Sequence, residues 1–184
     1  MRADLGEISS QTYRTRMVRG DGLEFSDMRG IEFEVVWFDQ DVIEYRVTCS
    51  NGSFGGATRL YSSHVDLTKA ADILSGFPSN IKDFRNLRLG TFAPELAGGG
   101  IDMTFKCVDS AGHAVVLVTL RDDGREAICQ PQSVNLCIPV EAGSIDSFVT
   151  KVHSIDDVVG AKAYLHMADH TVRWVQRGFP NLRR

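Results

Sequence analysis

What the sequence lacks narrows it first. No apolar run approaches the ~18 residues of a membrane-spanning helix. The opening Met1-Arg2-Ala3-Asp4-Leu5-Gly6 holds no apolar core of a secretory signal, so neither a span nor export is expected. Four cysteines, Cys49, Cys107, Cys129 and Cys137, are scattered without a C-x-x-C pair. Cys49 and Cys137 fall inside apolar strand patterns, where reduced cysteine behaves as a small hydrophobe. Free thiols in a reducing cytoplasm are the favoured reading, and a disulfide between neighbouring strands is the other. There is no internal repeat, no low-complexity stretch and no G-x-S-x-G nucleophile elbow.

What is present is an ordinary globular composition. With 184 residues, 43% hydrophobic and 24% charged, the chain suits one domain that folds without disulfide or metal. The net charge of −4 conceals a division. Residues 1–20 carry +2, residues 161–184 carry +4, and the stretch between holds 11 basic against 21 acidic residues, or −10. Nucleic-acid binding needs a clustered basic face, so an acidic body with basic ends speaks against that partner. It suits a basic protein partner, although solubility alone is the plainer explanation.

The pattern along the chain predicts an α+β fold. Ile31, Phe33, Val35 and Trp37 alternate with Glu32 and Glu34; after Asp39-Gln40-Asp41, Ile43, Tyr45, Val47 and Cys49 alternate with Glu44, Arg46 and Thr48. This is the period of two of an antiparallel hairpin with one buried face. Asn51-Gly52 marks a turn into a third strand over 57–61. Leu67, Ala70, Ala71 and Leu74 then keep helical spacing, with Ser63 or Asp66 to cap the start and Gly76 ahead of Phe77-Pro78 to end it. Strands follow over 86–92, 101–107, 114–120 and 133–140. The apolar run 114–118 reads as a central strand, and Pro131 and Pro139 place the last strand at an edge or a bulge. A second helix runs over 144–153, with Ile145, Phe148, Val149 and Val152 as its stripe. Leu165, Ala168, Val172 and Val175 predict a third helix within 160–177. The expectation is a largely antiparallel sheet of six to seven strands, two amphipathic helices on one face and a C-terminal helical segment. The division is an N-terminal segment 1–30 with room for one added strand over 11–18, a core 31–154 and an appendage 155–184.

Candidate chemistry is thin. His166 and His170 stand four apart, a zinc-bridging separation on a helix, but Met167 follows the first where a metalloprotease has its glutamate, and no third ligand is placed. No metal and no cofactor is expected. The glycines of 52–56 and 98–100 are not followed by Lys-Ser/Thr, so they read as turn glycines rather than a phosphate loop. Arg59, Tyr61, His64 and Asp66 collect where a strand hands over to a helix. They allow a small-ligand site or a hydrolase fragment with Ser62 and Ser63, whereas a capping segment is the plainer account. The outward hairpin face gathers Glu32, Glu34, Glu44 and Arg46 with Val36 and Phe38, and the C-terminal segment mixes Trp174 and Phe179 with Arg177. Aromatic and arginine side chains together typify interface anchors. An uncovered sheet edge or exchange of the C-terminal helix would allow a homodimer.

The order of elements resembles small bacterial families of unknown function that recur among immunity-type proteins of toxin–immunity systems. The likeness rests on the hairpin 31–49, the helix 67–74, the strand pair 101–120 and the run Val134-Asn135-Leu136-Cys137-Ile138-Pro139-Val140-Glu141-Ala142-Gly143 leading into the second helix. It spans 31–154 and rests on pattern alone. It implies a protein that acts by binding, and it transfers no active-site residue. With the reduced cysteines and the lack of a signal core, the expectation is a non-catalytic cytoplasmic protein that binds another protein.

Overall fold

A computed structural model describes residues 28–93, 96–124, 130–155 and 157–169. The alternating hairpin forms as β1 (Gly30–Phe38) and β2 (Ile43–Ser50). Its turn is closed by Asp39, whose Oδ1 accepts from the Asp41 and Val42 amides, each at 2.9 Å. β3 (Gly55–Ser62) follows, and α1 (Asp66–Leu74) buries the stripe Leu67, Ala70, Ala71 and Leu74. Gly76, at φ 69°, takes the left-handed position that ends it. The chain then runs through β4 (Phe84–Gly90), β5 (Gly100–Cys107), β6 (His113–Asp122) and β7 (Gln132–Glu141). It continues into α2 (Ala142–His153) and β8 (Lys162–His166). None of the described helices is long and apolar enough to cross a membrane.

The α+β reading holds, but the single sheet does not. Two antiparallel sheets form, ordered β3-β2-β1-β8 and β4-β5-β6-β7. The β7 edge position agrees with Pro139, and β6 is interior. β3 lies against strands of the second sheet, α2 packs on β8, β7 and α1, and α1 touches β4. Both sheets and both helices share one apolar core, in which Phe33 meets Tyr45 and Phe148 while Phe77 meets Phe105.

The third helix is also corrected over the described residues. Lys162–His166 is a strand, paired antiparallel to β1 from Gly30↔His166 to Glu34↔Lys162. Ala163 and Leu165 point into the core, so the burial that a helix stripe would supply is met by a period of two. The sheet thus continues past residue 154, and 170–177 lie outside the described residues, as does the strand expected over 11–18.

One side chain moves from the core to the surface. The β1–β2 register shifts between Val35 and Trp37, so Val36 is a bulge residue. An extra residue reverses the alternation beyond it. Trp37 therefore stands opposite the outward Glu44, and Phe38 stands opposite the buried Ile43 at the rim. The assignment of Trp37 to the inner face and Phe38 to the outer one is thereby exchanged.

Candidate functional site

The outward face of the first sheet places Glu32, Glu34, Glu44 and Arg46 together, as the alternation requires. Strand pairing adds Arg59 from β3 and Lys162 from β8. Lys162 Nζ reaches Glu32 at 3.0 Å and Glu34 at 3.5 Å, Arg46 meets Glu34 at 3.7 Å, and Arg59 meets Glu44 at 3.3 Å. The hydrogen bond to Glu32 holds the Lys162 ammonium above the usual lysine range, against a smaller loss from burial. Three carboxylates and three cations thus neutralise one another, and this face does not carry the acidic excess of the sequence. Glu44 is only 8% exposed, lying between Trp37 and Tyr61 in the cross-strand row.

The cluster at residues 59–66 is divided by the fold. Arg59 faces outward to Glu44. Tyr61 and Asp66 line a cleft of about 300 Å³ between β3, α1 and β4, together with Lys69, Ile73, Asn86 and Arg88. Burial raises the Asp66 carboxyl, but hydrogen bonds from Ser63 and Ser62 and the Lys69 charge outweigh it and hold the group below its ordinary value. Ser62 Oγ donates to Asp66 at 3.2 Å rather than to a histidine. The nucleophile–base contact of a hydrolase is therefore not formed there. The cleft's charges are matched, Lys69 with Asp66 at 3.7 Å within it and Arg88 with Asp102 of β5 beyond its lining.

His64 turns away from that cleft. Its Nδ1 lies 2.9 Å from Asp157 Oδ2, and its Nε2 lies 2.8 Å from the Asp39 carbonyl oxygen. Phe38 packs edge-on against the ring, with centroids 6.4 Å apart. The Asp157 hydrogen bond raises the imidazole pKa above 6.5, opposed by some burial and helped by the Asp39 carbonyl. Three chain segments thus converge on one side chain: the β1–β2 turn, the β3–α1 junction and the α2–β8 loop. That loop is tied to β1 as well, since Val35 N donates to Ala161 O at 2.9 Å and Gly160 N to Val35 O at 2.8 Å.

Around this junction the surface is apolar. Trp37, Phe38, Val65, Val158 and Val159 are 46%, 38%, 51%, 57% and 61% exposed. Asp39, Asp41 and Asp157 belong to the same turn and loop, with Asp41 and Asp39 both exposed at the hairpin tip. The sequence hid this group because the bulge looks like continued alternation and because His64 and Asp157 are 93 residues apart. The visible signals were the Asp39-Gln40-Asp41 turn, Phe38 on the hairpin and His64 at the strand-to-helix junction, with nothing to join them.

The remaining candidates are dispersed or lie elsewhere. His166 is on β8, ring to ring with Tyr164 at 4.1 Å, so helical spacing to residue 170 does not apply. His170, Trp174, Arg177 and Phe179 lie outside the described residues. Among the described residues, no group of three or more His, Cys, Asp or Glu side chains could hold a metal ion.

Comparison with known proteins returned no matching family model, no matching curated protein and no matching solved structure. The functional reading therefore rests on the geometry of this chain.

Proposed function

We propose that the chain is a non-catalytic binding protein that docks a partner protein on the open end of its first sheet. The observation that carries this reading is the exposure of two neighbouring aromatics, Trp37 turned outward by the β1 bulge and Phe38 at the rim, beside the loop of Val158 and Val159. Clustered exposed apolar side chains with a polar margin mark interaction surfaces, and tryptophan is a frequent anchor. The margin here is acidic, through Asp39, Asp41 and Asp157. The partner that fits presents an apolar knob within a basic rim. An immunity-type role in a bacterial cytoplasm is the narrower form of this proposal, and a toxin-like gene beside this one would support it.

The test is quantitative binding of a partner captured from the native host. Trp37→Ser is expected to weaken binding about 30-fold, in keeping with loss of an interface anchor. Phe84→Ser, at a residue 63% exposed on the edge of the second sheet, should change it by less than about twofold. Affinity should also fall as salt screens the acidic margin. Equal losses in the two variants, indifference to salt, or capture of nothing but a second copy of this chain would each refute the reading.

A second reading is a small-ligand protein using the Tyr61–Asp66 cleft. The cleft is at the lower end of ligand-pocket size, about 300 Å³, and it adjoins Ile73 and Leu87 as an apolar floor. Binding of a small molecule that perturbs Tyr61 and Asn86, and is lost in Tyr61→Ala, would favour it over docking.

A further inference from the structure

We infer that His64 is a proton-controlled latch on this docking surface, closed when its imidazole is cationic and opened by deprotonation. The inference rests on the docking reading and adds its regulation. The argument begins with donors and acceptors. Both partners of the ring, a carboxylate oxygen of Asp157 and the carbonyl oxygen of Asp39, accept hydrogen bonds. A neutral imidazole has one N–H and one lone pair, so it satisfies one of them and turns a lone pair on the other. Only the imidazolium donates at both 2.9 Å and 2.8 Å.

The charged groups facing the ring agree. Asp157 comes from the α2–β8 loop and Asp39 from the β1–β2 turn, and both favour the cation electrostatically. Asp66 of the ring's own junction and Asp157 also act on the Tyr45 phenol of β2 at the same end of the sheet; that phenol is raised to about 12, chiefly by burial. The buffer between ring and solvent is partial, with the His64 side chain 24% exposed, so the proton exchanges freely with water.

The latch holds what the partner would meet. Phe38 lies against the ring, Asp157 precedes Val158 and Val159, and Asp39 begins the hairpin tip. With both hydrogen bonds made, the hairpin tip and the α2–β8 loop form one platform. When the proton leaves, one leg is lost and the side-chain bridge between the two segments opens, while the Val35 backbone pair still holds the base of the loop on β1. A pKa raised in the folded state means that the latch is fully closed below about 6.5 and opens as the pH rises through the raised value. Docking is therefore tightest on the acid side of neutrality and weakens toward alkaline pH.

The experiment follows the His64 ring and the amides of Phe38, Asp39 and Val158 by NMR from about pH 5.5 to about 9. All four should move with one midpoint above 6.5. In His64→Gln the amide transition should vanish. In Asp157→Asn the midpoint should fall toward 6.5, since the neutral amide no longer favours the cation. Amides that stay flat, a transition that persists in His64→Gln, or a midpoint unmoved in Asp157→Asn would overturn the latch. Flat amides combined with lost binding in Trp37→Ser would refute the latch and leave the docking surface standing. A titrating latch with unimpaired binding in Trp37→Ser would do the opposite.

Discussion

The two sheets have the same number of strands and opposite characters. The second is assembled in chain order, β4 to β7, and its outward rows are matched quietly: Arg88 with Asp102, Thr104 with Asn86, Thr119 with Asn135. The first borrows its fourth strand from beyond α2, interrupts its hairpin with a bulge and gathers an ion ladder, exposed aromatics and a bridged histidine. Regular pairing with satisfied surface groups is what a scaffold requires. Both sheets leave large apolar groups in water, Phe84 on the second among them, but the bulge that turns Trp37 outward and the aromatic packed on a bridged histidine belong to the first.

The sharpest way to break this contrast is Gly30→Ala. Gly30 has φ 139°, and a Cβ there would lie 2.0 Å from the Leu165 carbonyl oxygen. The β1–β8 pairing must shift, so a loss of about 3 kcal/mol or more is expected in chemical denaturation. Amide exchange should rise in β1 and β8 more than in β5 and β6. Uniform acceleration across both sheets would show that the first has no separate weakness.

An intermediate effect belongs to the second sheet's entrance. Hydrogen bonds from Arg85 and then the Ser79 amide hold the Asp83 carboxyl at about 2, against a modest loss from burial. A depressed folded pKa gives stability that is present above the unfolded value of 3.8 and lost as the pH falls toward 2. Asp83→Asn should cost about 1–2 kcal/mol at neutral pH and flatten the stability profile in that acid window. The contrast with His64 is then explicit: one sheet responds to acid, the other to the alkaline side of neutrality. The smallest effect is Lys162→Gln. It removes two partly exposed ion pairs from the ladder and should cost less than about 1 kcal/mol, diminishing further with salt.

Element identity was readable wherever one face is dry. Ile31, Phe33 and Val35, or Leu67, Ala70, Ala71 and Leu74, announce their periods because burial selects them. The features that fail to announce themselves are those set at long range. Residues 31, 33, 35 and 37 look like one stripe, since an inserted residue changes which face Trp37 occupies without changing its type. Leu165 and Ala168 stand three apart, and five residues of strand are too few to outvote that helical spacing. The division into two sheets depends on which strands meet, which local pattern does not encode. For the site, the clustering of residues 59–66 was legible, but its partition between an outward ladder, a cleft and the His64 junction required Asp157.

The recruitment of β8 also sets an order of events. Glu32 and its partner Lys162 are 130 residues apart, with the whole second sheet synthesised between them. While the ribosome makes β4 to β7, the early hairpin offers an unpaired β1 edge, the kind of surface on which strands of neighbouring chains add. Closure of that edge is the last long-range pairing available among the described strands, and it is entropically slow to find. Yield from a translation system slowed just before residue 162 would therefore be governed by edge-to-edge association of nascent chains, even when the finished protein is well behaved.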